Sequence, residues 1–143
     1  MNLTEYLKTT LRAEEDTIPH AYQDHLGFWT IGVGHLVDKR KGGKLSSQVI
    51  DLQLDIDVQE KMGEVYKAIP WALNLDVGRR AALVLMAFQL GTSGLLAFKN
   101  MLLALRHQKW QEAHDHALDS KWARDDTPAR AKRVAAMLLT GSV

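Results

Sequence analysis

A change of hydrophobic pattern near the N-terminus constrains the fold of this chain more than any other feature. Between Leu3 and Leu11 the apolar residues recur at helical spacing, which predicts an amphipathic helix over residues 3–14. From Pro19 to Val37 the chain instead carries short runs of aromatic and β-branched residues, with glycines at the bends. A β-hairpin is therefore expected directly after the first helix.

The rest of the chain has the pattern of a helical protein. Ser46 or Ser47 can cap a long helix that runs to about Ala68. Asp76 can cap an apolar helix from Val77 to Leu90, which Gly91 would close. Further helices are expected from Gly94, over residues 110–118, and after the start signal Thr127–Pro128.

Together these elements predict an α+β fold that is predominantly helical and forms one domain over residues 1–143. A small β-hairpin lobe of about residues 13–50 is expected to be joined by a connecting helix of about 47–68 to a helical lobe. That helical lobe comprises about residues 69–143 together with 1–12, because the first helix cannot bury its apolar face alone. A cleft between two such lobes would suit a polymer chain.

Composition narrows the class of protein. The net charge is only +1, so the electrostatic field of the whole molecule gives little support to a nucleic-acid-binding function. The absence of cysteine excludes a disulfide framework and any cysteine-ligated metal. No apolar run has the length of a signal peptide or of a membrane span. We therefore expect a chain that is soluble where it is made and does not insert stably into a membrane.

Three side chains around the predicted hairpin could carry chemistry. Glu15 lies at the end of the first helix, and Asp24 lies beyond the turn at Pro19. Thr30 lies where the hairpin returns, near enough to share a water with Asp24. A proton donor, a second carboxylate and a hydroxyl that holds water are the groups that hydrolysis of a glycosidic bond requires.

The same residues carry a family resemblance. The spacing of Glu15, Asp24 and Thr30, with the sequence TIGVGH that begins at Thr30, resembles that of the bacteriophage T4-type lysozymes and endolysins. Three further blocks resemble the helical part of that family: RRAAL from Arg79 with FQLG from Phe88, KWQEA at 109–113, and TPARAKRV at 127–134.

The resemblance implies a role for each matching residue. Glu15 matches the general acid, Asp24 the acid that orients or activates water, and Thr30 a residue that helps to hold that water. Arg130 matches an arginine that pairs with the catalytic glutamate.

Contacts with the substrate and one ion pair are also implied. Leu36 and Phe88 match residues that contact the glycan in the cleft, and Gln89 lies beside Phe88 as a further substrate-binding residue. His35 matches a histidine that forms an ion pair with an aspartate, and Asp55 is the corresponding partner here.

The sequence departs from the family pattern at several positions. Asp16 stands where a glycine commonly comes after the catalytic glutamate. Met101 and His116 stand where the T4-type cleft has small polar side chains, which predicts different outer subsites. One extra residue lies between Trp122 and Thr127.

The expected activity is that of a muramidase which hydrolyses the β-1,4 bond between N-acetylmuramic acid and N-acetylglucosamine in peptidoglycan. By resemblance the mechanism is inverting, and no cofactor and no metal are needed. The expected partner is the peptidoglycan glycan strand, and the protein is expected to be a monomer. The resemblance implies a phage product that is made in the host cytoplasm and reaches the periplasmic peptidoglycan through holin-type lesions.

Three alternatives are open. A lytic transglycosylase cleaves the same bond by internal attack, without a base for water. A non-catalytic peptidoglycan-binding domain could use the same fold. The basic last helix alone suggests a DNA-binding protein, which is the weakest of the three.

Overall fold

The structure is a computed structural model that describes residues 2–15, 18–23, 29–32, 35–36 and 46–143, with the residues between 18 and 36 described by their backbone alone. The described chain is predominantly helical, as the sequence predicts. Its elements in chain order are α1 Leu3–Glu15, β1 Ile18–Gln23, β2 Trp29–Gly32, β3 His35–Leu36, α2 Ser47–Ala68, a 3-10 turn Pro70–Asn74, α3 Val77–Leu96, α4 Lys99–Arg106, α5 Trp110–Leu118, a π-helical turn Trp122–Asp126 and α6 Pro128–Thr140.

The three strands form one antiparallel sheet in the order β1-β2-β3. In this sheet Thr30 of the central strand pairs with Tyr22 of β1 and with Leu36 of β3. The turns between the strands lie outside the described residues. The assignment of residues 13–50 to a separate small lobe therefore stays a prediction.

The chain divides into two compact units, Met1–Glu60 and Lys61–Val143, with the boundary inside α2. In the first unit, apolar residues of α1 and α2 are buried at helical spacing: Leu7, Leu11, Ile50, Leu54 and Val58. The assignment of residues 1–12 to the helical lobe also stays a prediction.

An ion-pair cluster joins α1 to α2 within the first unit. The ammonium of Lys8, whose side chain is 9% exposed, lies 3.0 Å from a carboxylate oxygen of Asp51, and the guanidinium of Arg12 binds the other oxygen. The hydrogen bond from Lys8, with both cations adding to it, holds the pKa of the Asp51 carboxyl below its usual value.

The second unit is a helical bundle in which α6 packs against α3 and α5, and α5 packs against α4. The first half of α3 forms its centre, because every residue from Ala81 to Ala87 is buried. Arg79 is buried beside them. Its guanidinium donates to the carbonyl oxygens of Leu138 at 2.8 Å and Leu139 at 2.6 Å, at the C-terminal end of α6.

Three further contacts lie at the junction between the start of α3 and the end of α6. Arg79 also binds the carboxylate of Asp76 and lies 3.7 Å from the ring centroid of Trp110. The N–H of Gly78 donates to the carbonyl of Gly141 at 3.1 Å. A Cβ at Gly78 would overlap that carbonyl, so the junction requires glycine there.

Several helix boundaries agree with the sequence signals. Ser46 accepts a hydrogen bond from the N–H of Val49, and Asp76 accepts one from the N–H of Arg79, so both act as N-caps. Gly91 has a positive φ of 79°, as expected of a residue that closes a helix. The chain nevertheless resumes helical structure after Gly91 and continues to Leu96.

One predicted helix boundary is wrong, and one predicted cap does not form although its helix begins at Pro128 as expected. The helix expected to continue from Gly94 ends instead at Leu96, and α4 begins at Lys99. Thr127 lies at the N-cap position of α6, but its side chain makes no capping hydrogen bond. The physical reason is a competing tertiary contact, because the Thr127 hydroxyl accepts a hydrogen bond from the amide of Gln89.

Within the described ranges, no single helix is long and apolar enough to cross a bilayer; α3 and α4 pass such a test only as a pair, across a 98° bend.

Candidate functional site

The predicted acid, Glu15, is the last residue of α1. It is partly buried, as is Glu14 beside it. Adjacent residues of a helix point about 100° apart, so the two carboxylates leave the helix in different directions. A carboxylate at the end of a rigid helix has its backbone fixed, which suits a proton donor that must meet one atom of a substrate.

The other two predicted catalytic residues lie in or next to the sheet. Thr30 is in the central strand, opposite Tyr22 and Leu36. Asp24 lies outside the described residues. It comes directly after Gln23 in sequence, and Gln23 pairs with Trp29 at the end of β1.

The sheet also contains the backbone of Leu36, the predicted substrate residue, and of His35, the predicted ion-pair residue. Both form β3, where His35 pairs with Ile31. Asp55, the expected partner of His35, is a partly buried residue in the middle of α2. The side chain of His35 lies outside the described part, so the ion pair stays a prediction.

Phe88 and Gln89, the other predicted substrate residues, lie on α3 just before the break at Gly91. Both are partly exposed, although the seven residues before them are buried. The bundle therefore presents these two side chains at its surface from an otherwise buried helix.

The Gln89 side chain is held at both ends of its amide. The indole N–H of Trp122 donates to Gln89 Oε1 at 2.9 Å, and Gln89 Nε2 donates to the hydroxyl of Thr127 at 3.1 Å. Trp122 itself is 3% exposed, and its ring meets that of Phe98 edge-on, with 5.8 Å between centroids. We refer to Gln89, Trp122 and Thr127 as the amide clamp.

The π-helical turn Trp122–Asp126 connects the two outer members of the amide clamp. The N–H of Thr127 donates to the carbonyl of Trp122 at 2.9 Å, which is a hydrogen bond over five residues. The turn holds four residues, 123–126, between these two positions. An α-helical turn would hold one residue fewer.

A cavity of about 280 Å³ lies beside the amide clamp, in the same unit. Phe98 lines it and also contacts Trp122. Met101 and His116 line it too, so two of the three residues predicted to depart from the family pattern meet at one surface feature. Its remaining lining side chains include one cation, Lys99, and one carboxylate, Asp119.

Arg130, the predicted partner of the catalytic glutamate, lies in the first turn of α6 and is partly buried. It is three residues beyond Thr127, so one member of the clamp and Arg130 share the start of α6. Among the residues that the structure describes, no group of three histidine or acidic side chains is arranged to hold a metal ion.

Sequence reasoning missed Trp122 and Thr127 as parts of the site. Trp122 is buried like a core residue, but its indole N–H donates to Gln89. The signal that could have indicated this was the extra residue between Trp122 and Thr127, since an insertion at the start of a helix must be absorbed somewhere.

Comparison with known proteins identifies the family. A family model described as phage lysozyme matches residues 12–138. The chain is 31% identical over 93% of its length to the pre-baseplate central spike protein Gp5 of Enterobacteria phage T4, of which it spans only 27%. It is 28% and 27% identical to probable T4-type lysozymes 2 and 1 of Dictyostelium discoideum, over 96% of this chain and 95% of each relative.

The matched range contains every residue that is a candidate for catalysis or substrate binding, from Glu15 at the end of α1 to Arg130 in α6. The chain therefore belongs to the phage lysozyme family and is a glycoside hydrolase of the lysozyme (muramidase) type.

Proposed function

We propose that this protein hydrolyses the β-1,4 linkage between N-acetylmuramic acid and N-acetylglucosamine in peptidoglycan by an inverting mechanism. Glu15 protonates the leaving glycosidic oxygen. Asp24 acts as the base that activates a water on the opposite face of the sugar ring, and Thr30 helps to hold that water. An inverting pair requires carboxyl groups about 6.5–9.5 Å apart, which leaves room for the water.

The observation that carries this proposal is the family match, which begins three residues before Glu15 and continues to residue 138. The register of the sheet agrees with it. Thr30 lies in the central strand, and the residue before Asp24 pairs with the residue before Thr30. Thr30 and the residue that precedes Asp24 therefore lie in neighbouring strands of one sheet.

The remaining predicted residues have supporting roles in the proposal. Arg130 pairs with Glu15 and steadies its carboxylate once the proton has been transferred. The His35–Asp55 ion pair ties β3 to α2. Leu36, Phe88 and Gln89 contact the glycan, the first from the sheet and the other two from the surface of the helical bundle.

The test is the clearing of outer-membrane-permeabilised Gram-negative cells by the wild type, Glu15→Gln and Glu14→Gln. Removal of a general acid costs about 10²–10⁴-fold in rate, so Glu15→Gln should lose activity to that extent. Glu14→Gln is the matched control, because it makes the same change on the same helix turn. Equal clearing by Glu15→Gln and the wild type would refute the assignment of Glu15 as the general acid.

Product analysis distinguishes hydrolysis from the transglycosylase alternative. An inverting hydrolase releases a reducing end of inverted anomeric configuration, whereas internal attack leaves anhydro-muramyl ends that mass spectrometry detects. Anhydro ends, or a retained anomer, would contradict the proposed roles of Asp24 and Thr30. Wall binding by the wild type without any clearing would instead support a binding module.

For the biological role we propose an endolysin, made in the host cytoplasm and released to the peptidoglycan through holin-type lesions, that acts as a monomer. The similarity to a spike protein over 93% of this chain favours one second candidate, a wall-cleaving part of a phage particle. Immunodetection of the chain in purified virions would support the second role, and its presence only in the soluble lysate would support the first.

A further inference from the structure

The amide clamp fixes the orientation of Gln89 through two residues that the proposed mechanism does not use. An indole nitrogen can only donate a hydrogen bond, so the 2.9 Å contact with Trp122 identifies which end of the Gln89 amide carries the oxygen. The nitrogen end is then directed at the Thr127 hydroxyl, 3.1 Å away. The clamp therefore selects one of the two amide orientations.

The Thr127 hydroxyl makes this contact instead of capping the helix that it precedes. A threonine at the N-cap position ordinarily accepts a hydrogen bond from a backbone N–H in the first turn of the helix. The Thr127 side chain makes no such bond to α6, and its hydroxyl accepts from Gln89 instead. Departures from a local structural rule are expected where a residue serves a functional site.

The π-helical turn gives a second, independent indication. It places the N–H of Thr127 on the carbonyl of Trp122, so the two residues that hold Gln89 are also joined to each other. Single π-helical turns occur frequently at functional sites. Here the turn sets the spacing at which one side chain donates to the amide of Gln89 and the other accepts from it.

The clamp leaves part of the amide available to a ligand. A primary amide has two N–H groups and two acceptor lone pairs, and the contacts with Trp122 and Thr127 use one of each. Gln89 is partly exposed, so the second N–H and the second lone pair can reach a substrate in the direction that the clamp sets.

We propose that Thr127 is a positioning residue for glycan binding, which acts by holding the Gln89 amide in the orientation that hydrogen-bonds the substrate. This inference rests on the proposed function, in which Gln89 contacts the glycan. Thr127 itself touches no substrate, and its effect passes entirely through Gln89.

The experiment compares Thr127→Val, which keeps the shape and removes the hydroxyl, with Thr127→Ser, which keeps the hydroxyl. On soluble glycan strands, Thr127→Val should raise KM about tenfold with kcat unchanged, since it removes binding that ground state and transition state share. Thr127→Ser should retain the wild-type KM. Thr140→Val is the matched control, because the Thr140 hydroxyl bonds only within the C-terminal part of the chain.

A double-variant cycle separates positioning from a general structural effect. In a Gln89→Ala background, Thr127→Val should cause no further change in KM, because the side chain through which it acts is gone. An equal rise of KM in both backgrounds would overturn the inference, and so would a wild-type KM for Thr127→Val. If Gln89→Ala does not fold, the comparison of Thr127→Val with Thr127→Ser and Thr140→Val decides the matter.

Failure of this inference is distinguishable from failure of the proposed function. Full activity of Glu15→Gln would refute the catalytic assignment whatever Thr127 does. Loss of activity in Glu15→Gln together with a wild-type KM in Thr127→Val would refute only the positioning role.

Discussion

Replacement of Arg79 by methionine should destabilise the protein by about 3 kcal/mol. The side chain is 6% exposed and donates to the carbonyl oxygens of Leu138 and Leu139, in the last turn of α6, where helix carbonyls have no partner within the helix. Each hydrogen bond from a charged donor contributes about 1.5–3 kcal/mol, and the contact with the face of Trp110 adds about 1 kcal/mol. Replacement by methionine also removes the cost of burying a guanidinium, which offsets about 1–3 kcal/mol of this loss in stability.

The measurement is urea and thermal unfolding of the wild type and Arg79→Met, monitored by helical circular dichroism. For a chain of this length a loss of about 3 kcal/mol corresponds to a fall in Tm of about 10 °C. Arg79→Lys should lose roughly half as much stability, since a single ammonium keeps the charge but cannot reach all three acceptors at once.

The matched control is Arg106→Met, which makes the same change on the exposed end of α4 and should alter stability by less than about 0.5 kcal/mol. If Arg79→Met costs under about 1 kcal/mol, or no more than the control, the buried guanidinium does not stabilise the junction of α3 with α6 as argued.

Two further changes test other parts of the described structure. Gly78→Ala should destabilise the protein by about 3 kcal/mol, because its Cβ would overlap the carbonyl of Gly141. Gly63→Ala, in open space inside α2, should instead stabilise it by about 0.5–1 kcal/mol. Equal Tm values for the two variants would contradict the close approach at Gly78. Because the pKa of the Asp51 carboxyl is lowered in the folded state, its stabilising effect is present at neutral pH and is lost as the pH falls below about 4 and through the folded pKa. Asp51→Asn should therefore be less stable than the wild type at pH 7, and the difference should shrink with acidification; a constant difference from pH 7 to pH 2 would refute this role.

The helices were largely predictable because their signals are local. The caps at Ser46 and Asp76 depend on residues three positions away, and both form as the sequence indicates. The positive φ of Gly91 is likewise a property of the residue itself. The path of the chain beyond a glycine depends on packing, however, and after Gly91 the helix resumes instead of ending.

The missed features all depend on partners far away in sequence. The hydroxyl of Thr127 had a local cap available, but the amide of Gln89, 38 residues earlier, takes its place. In the sequence, Arg79 looks like any arginine of an amphipathic helix. Its hydrogen-bond acceptors lie at the end of α6, about 60 residues later. Periodicity carries no information on such pairs.

The candidate site was predictable to the extent that family spacing is preserved. Glu15 ends α1 and Thr30 lies in a strand, as the sequence indicated, and Phe88 and Gln89 reach the surface of the bundle. The contacts that orient Gln89 could not be read in the same way. They depend on how residues 123–126 fold between Trp122 and Thr127, and a motif of residue identities does not record that geometry.

The π-helical turn has a consequence for how such a chain tolerates insertions and deletions. Because the turn takes up one residue as a local widening of the backbone, the ends of the segment keep their hydrogen bonds to Gln89. Removal of one residue between Trp122 and Thr127 would break the hydrogen bond over five residues and change the spacing of the two side chains that hold Gln89. We therefore expect changes of chain length at this position to act on the orientation of the Gln89 amide as well as on the backbone of the turn.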